Sequence, residues 1–148
     1  MSNSSGKRGF MAAAGSLLAG AFLASRAQAG ESAAKPNKVV FQVSDNDPGK
    51  WGLALNNAQN VFHDLGADTV ALEIVVYGPG IGMLKMESPV ATRIAAALKS
   101  GMRIVACENT LRAAHLTHAD MLPDIGYVPA GVVELMQKQQ QGYAYIRP

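Results

Sequence analysis

The chain has 148 residues, 49% of them apolar, with 13 Lys and Arg, 11 Asp and Glu, and one Cys. A single thiol excludes an internally disulfide-stapled fold. The formal charge of +2 is carried by Lys7, Arg8 and Arg26 near the N-terminus; without those three, 10 basic residues face 11 acidic ones, and no basic surface remains to argue for nucleic acid.

Residues 1–29 read as an export signal rather than as part of the fold. Lys7 and Arg8 form a short basic region, residues 10–24 are apolar but too short to span a bilayer comfortably, and Ala27-Gln28-Ala29 has the small-x-small form of a cleavage site. Lys7-Arg8-Gly9-Phe10-Met11 resembles a twin-arginine signal with Lys for the first Arg, compatible with either the twin-arginine or the Sec route. The expectation is a periplasmic protein, free of the membrane once its signal is cleaved. Removing residues 1–29 leaves 119 of the 148, enough for one domain with its own core.

Residues 30–37 are small and polar and read as a linker before a domain at 38–148. Residues 38–44 form a β-branched run, the first expected strand. Asp45, Asn46 and Asp47 follow as turn and capping residues, and Pro48 suits the first position of a helix. Trp51, Leu55, Ala58, Phe62 and Leu65 recur at helical spacing, and Gly66 closes that helix. Residues 69–77 predict a second strand, broken by Gly78-Pro79-Gly80-Ile81-Gly82. Ser88-Pro89 reads as the cap and first residue of a helix over 90–99. Residues 103–106 form a third strand that ends at Cys107. A short helix is expected from Asn109 to about His115, and a turn capped by Thr117 after it. A fourth strand over 125–129, a helix over 131–141 and a last strand over 143–146 complete the chain. Alternation of strands and helices implies parallel pairing with right-handed crossovers. The fold class is therefore α/β: a three-layer sandwich around a mostly parallel sheet of about five strands.

In such sheets ligands bind at the carboxyl ends of the strands. Three ends stand out: Ser44-Asp45-Asn46, Tyr77-Gly78-Pro79 and Cys107-Glu108-Asn109. A thiol between a strand and a helix faces unpaired N–H groups and the positive end of a dipole, both of which favour thiolate. Asn109 and Thr110 are candidate helix caps whose backbone N–H groups would also hold an anion. Arg112, about one turn further on, is positioned to offset Glu108. An exported lone Cys must be inert and buried, paired with another chain, or chemically used.

Other patterns are weaker. His63, His115 and His118 have no partner ligand at zinc-like spacing, so no metal is expected. The glycine-rich segment lacks a Gly at position 83 and any following GK[ST], so no nucleotide cofactor is expected; a tight turn is. Met83, Leu84 and Met86 are suited to a subunit interface or a hydrophobic pocket, or to local core. Ser-His-acid chemistry finds no placed triad.

Val105-Ala106-Cys107-Glu108-Asn109-Thr110-Leu111-Arg112-Ala113 resembles the cysteine segment of the DsrE/DsrF-like family. Tyr77-Gly78-Pro79-Gly80-Ile81, Leu122-Pro123, Val128-Pro129-Ala130-Gly131-Val132-Val133-Glu134-Leu135 and Gln141-Gly142-Tyr143-Ala144-Tyr145-Ile146 extend the likeness over residues 38–148. The resemblance implies a small α/β protein that assembles with itself into trimers or hexamers. Some relatives relay sulfane sulfur as a persulfide on a Cys ending the third strand, the position of Cys107. Relay members are cytoplasmic and use partner subunits, whereas this chain resembles the exported branch. The expectation is a sulfur carrier, sulfurtransferase-like at most, with Cys107 as nucleophile and a sulfur donor or acceptor protein as partner. The alternatives are a non-catalytic oligomeric binding module and a thiol redox sensor.

Overall fold

The structure is a computed structural model that describes residues 34–148. The expected signal at 1–29 and the start of the expected linker lie outside the described residues. Strand β1 (Asn37–Val43) leads into helix α1 (Pro48–Leu65), then β2 (Val70–Val76), α2 (Ala91–Lys99), β3 (Arg103–Cys107), α3 (Glu108–Ala113), β4 (Gly126–Val128), α4 (Gly131–Gln140) and β5 (Ala144–Ile146). Every strand pair is parallel, in the order β4-β3-β2-β1-β5.

The order of the strands dictates where the helices go. From β1 to β4 each crossover steps the same way across the sheet, so right-handed connections put α1, α2 and α3 on one face. The return from β4 to β5, beyond β1, runs the opposite way and puts α4 on the other face. Side-chain alternation matches this division. Val39, Phe41, Leu72, Ile74, Val76, Ile104 and Ala106 pack with Trp51, Leu55, Ile94 and Leu111 from the first three helices. Val40, Val75, Val105 and Val128 pack with Leu135 of α4.

Local signals in the sequence account for most element ends. The Asp47 carboxylate accepts from the N–H groups of Gly49 and Lys50 at 2.8 and 3.3 Å, and Gly66 ends α1 at φ 85°. The capping box at Thr117 closes on Asp120 as a 3-10 turn over His118–Asp120. Met83 and Leu84 are fully buried and belong to the core, whereas Met86 is exposed.

Two helix starts differ from the expectation. The second helix starts at Ala91 with Val90 as its cap, not at Ser88-Pro89. Ser88 is held in a turn: its N–H donates to the Lys85 carbonyl at 2.9 Å, and its carbonyl accepts from Ala91 at 3.1 Å. That segment is tied across to residues 120–122, with Met86 N–H on the Asp120 carbonyl and Leu122 N–H on the Leu84 carbonyl. The helix cannot begin until the chain leaves this pairing. Similarly, α3 starts at Glu108 and its cap is Cys107 itself, so Asn109 and Thr110 lie inside the first turn rather than capping it. The β3 ladder, which runs through Cys107↔Val128, carries the extended conformation up to that residue and no further.

Candidate active site around Cys107

Strands β3 and β4 are neighbours, yet the helices that follow them lie on opposite faces. The carboxyl ends of such a pair open a crevice where α/β sheets bind ligands. Cys107 closes β3 at this point, opposite Val128. Its side chain faces the α4 side with Val105, and the sulfur sits between the first turn of α3 and the first residue of α4. Burial pushes the thiol pKa up. The Thr110 hydroxyl and the backbone N–H groups of Gly131, Thr110 and Asn109 outweigh it, and the thiol is held below its ordinary value. Cys107 is 4% exposed in the single chain.

The supporting contacts are specific. Thr110 Oγ1 accepts from the Gly78 N–H at 2.9 Å, which leaves its own proton for the sulfur. The Asn109 N–H donates to the Pro129 carbonyl at 3.2 Å, tying α3 to the end of β4. Asn109 is therefore the least committed of the backbone donors to the sulfur. The Arg112 guanidinium donates to the Asn109 side-chain oxygen and not to Glu108, so the expected offset of Glu108 by Arg112 does not form. Glu108 pairs instead with His118 Nε2 at 2.8 Å, and the His118 ring stacks on Tyr127 at 3.6 Å between centroids. Among the described residues no cluster of His, Cys, Asp and Glu is arranged to hold a metal ion.

Of the three strand ends read from the sequence, the second reaches Cys107 directly. The β2–β3 register pairs Val76 with Ala106, so one further step sets Tyr77 beside Cys107 on the same face. Gly78 joins through Thr110, and Pro79 opens the 3-10 stretch Gly78–Leu84. The turn is dense: a Cβ on Gly80 would lie 2.7 Å from the Val43 carbonyl oxygen. The first strand end lies a strand further away and meets the second through backbone bonds, with the Tyr77 N–H on the Val43 carbonyl and the Gly80 N–H on the Ser44 carbonyl, both at 3.1 Å. Ser44 also accepts from Gln42 at 2.9 Å, and Gln42 accepts from the Tyr145 hydroxyl at 2.5 Å. Burial and Tyr145 push the Tyr77 phenol above its ordinary range. Asp45 is engaged elsewhere, with Lys50 at 3.0 Å and Arg147 at 3.5 Å. Asn46 lies against Gly82 near Trp51. His63 is a solvated neighbour of Asp64.

Several site features went unread in the sequence. A cleft of about 540 Å³ on the α4 face runs from Tyr77 past Gln42 and Tyr145 to Val132, Leu135 and Met136. Glu73, at the centre of β2, is 1% exposed beneath α4. Arg103 Nε and Lys138 Nζ lie 2.8 and 3.1 Å from its Oε2, although neither carboxylate oxygen has a hydrogen bond of good alignment. Burial first, and then the neighbouring Glu134, raise the Glu73 pKa above the usual carboxylate value. Its only trace in the sequence is an acidic residue amid a β-branched run.

Fold and site together define a small parallel α/β protein with one thiol at the point where the helices change faces. The chain belongs to the DsrE/DsrF-like family, whose model matches residues 37–148. It is similar to a protein of unknown function, MTH1491, from Methanobacterium thermoautotrophicum: 33% identity over 76% of this chain and 99% of that one, with a TM-score of 0.72. A protein of unknown function from Bacteroides thetaiotaomicron, BT1422, shares the fold at 15% identity, covering 76% of this chain and 95% of its own, with a TM-score of 0.62. No curated protein matches the chain at a significant level. Membership of this family suggests a function of the sulfur-relay type.

Proposed function

We propose that this protein is a periplasmic sulfur carrier that holds sulfane sulfur as a persulfide on Cys107. The observation that carries the reading is the placement of the one thiol of the chain at the end of β3, between the starts of α3 and α4, where a set of neighbouring polar groups (the Thr110 hydroxyl and the N–H groups of Gly131 and Thr110) holds its pKa below the ordinary value. Such a set stabilises a thiolate, and equally the anion of a persulfide, without a metal or general base. The Cys107 thiolate attacks the outer sulfur of a donor persulfide, R–S–SH. A Cys107 S–S bond forms, the donor's S–S bond breaks, and R–S⁻ leaves with the electron pair. The sulfane sulfur keeps its oxidation state, so no external oxidant is needed. The basic, apolar and small-x-small pattern of residues 1–29 supports export. Exposed Val132, Val133, Met136 and Tyr145 support assembly with further copies, as a trimer or hexamer, or docking of a sulfur donor or acceptor protein. Exposure of the protein to polysulfide or a low-molecular-weight persulfide, followed by intact mass and peptide mapping, tests the reading. One added sulfur at Cys107, lost in Cys107→Ser, is expected; a wild-type protein that gains none from any donor refutes it.

One observation favours a second reading. Cys107 is 4% exposed, as a structural thiol would be. In a non-catalytic oligomeric binding module, Cys107→Ser would leave ligand or partner binding unchanged and thiol reagents would react only on unfolding. A redox sensor would instead yield intersubunit disulfides on mild oxidation, visible by non-reducing electrophoresis.

A further inference from the structure

Gly131 is the first residue of α4, three positions past the end of β4, and it sits over two neighbouring side chains at once. The pairing of Cys107 with Val128 brings it near the thiol, and its N–H is among the groups that lower the thiol pKa. Its Cα lies against Tyr77: a Cβ at position 131 would come within 3.0 Å of Tyr77 Cβ and Cδ1 and 3.1 Å of Cγ. These are the rigid root of the ring and cannot swing away as a flexible tip would. The far end of the ring lies beside Ser44, which is itself held in the Ser44–Gln42–Tyr145 chain of hydrogen bonds. Seven residues on, about 10 Å along the helix, Lys138 ties α4 to the buried Glu73 of β2 at 3.1 Å. Both ends of α4 are thus referenced to β2, the strand beside the thiol.

We infer that Tyr77 and Gly131 form a steric stop that sets how closely the start of α4 approaches the Cys107 sulfur, with Glu73 and Lys138 anchoring the other end of the helix. The inference rests on the reading of Cys107 as an ionised, sulfur-carrying thiol and adds positioning residues to it. Tyr77 and Gly131 act through the placement of one N–H group and not by contact with a substrate. A side chain at position 131 lifts the helix start away from β2, and the sulfur anion loses a donor.

The test is a double-mutant cycle read by the ultraviolet absorbance of the thiolate against pH in the full chain, which has one Cys and so one signal. Gly131→Ala is expected to move the thiol midpoint upward by about one pH unit, so that the thiolate fraction below the midpoint falls about tenfold. Tyr77→Phe keeps the ring and is expected to leave the effect of Gly131→Ala in place. Tyr77→Ala removes the obstacle, and in that background Gly131→Ala is expected to move the midpoint little. An equal effect of Gly131→Ala in both backgrounds, or none in either, overturns the stop. If Gly131→Ala alone does not fold but folds with Tyr77→Ala, the same rescue is read through stability; failure of both to fold overturns it. A wild-type midpoint at the ordinary thiol value overturns the stop and the sulfur-carrier reading together. A depressed midpoint without coupling overturns the stop alone, and a coupled, depressed thiol that never gains sulfur overturns only the carrier reading.

Discussion

Replacing Thr110 by Val keeps the shape of the side chain and removes its hydroxyl. In the wild type that hydroxyl accepts from the Gly78 N–H at 2.9 Å, which leaves its proton for the neighbouring Cys107 sulfur, whose pKa it lowers. A hydrogen bond to a charged group contributes about 1.5–3 kcal/mol. At about 1.4 kcal/mol per pH unit, its loss should raise the Cys107 midpoint by about one to two pH units. The Gly78 N–H, partly buried, would also lose its acceptor, at a cost of about 1–3 kcal/mol in stability. Thr110→Ser retains both bonds and should stay near wild type on both measures. Thiolate absorbance against pH, with Cys107→Ser as the blank, reads the first quantity; urea unfolding at neutral pH reads the second. A Thr110→Val midpoint within a few tenths of a pH unit of wild type (far less than one hydrogen bond to an anion is worth) would refute the assignment of the hydroxyl to the sulfur.

Two further outcomes follow from buried titrating groups. The Cys107 thiol is held low in the folded protein, so between that value and the unfolded thiol value of about 8.5 the unfolded chain binds more protons. Stability should therefore rise with pH across that window and be lost as pH falls through the folded value. Cys107→Ser should remove this slope, measured by urea unfolding at a series of pH values, and parallel profiles would contradict it. Lys138→Met should destabilise by about 3 kcal/mol at neutral pH, the lower end of the cost of breaking a buried pair, because Arg103 remains 2.8 Å from Glu73. The raised pKa of Glu73 makes it neutral sooner on acidification than an ordinary carboxylate, so the penalty should shrink as pH falls. Loss of both charges in Glu73→Leu with Lys138→Met should recover most of the stability, and a double variant no better than Lys138→Met would refute the pairing.

What the residues themselves determined is local. Apolar spacing specified α1 and the β-branched runs, Asp47 and Gly66 marked the ends of α1, and Thr117 with Asp120 marked the turn after α3, because each involves groups within one or two turns of chain. The alternation of strands and helices was enough for a parallel α/β sheet, and it placed Cys107 at the end of β3. The starts of α2 and α3 were displaced from their sequence signals because backbone pairing with residues 120–122 and with β4 decides where the chain is free to coil. The same limit hid the most informative partners of the thiol. Gly131 and Cys107 are brought together by the pairing of β3 with β4, and Glu73 meets Lys138 only because the return to β5 lays α4 across the opposite face. Strand order and the hand of the crossover are properties of contacts remote in sequence, which no short window of residues encodes. Tertiary structure alone therefore decided that two helices from opposite faces would meet at one sulfur.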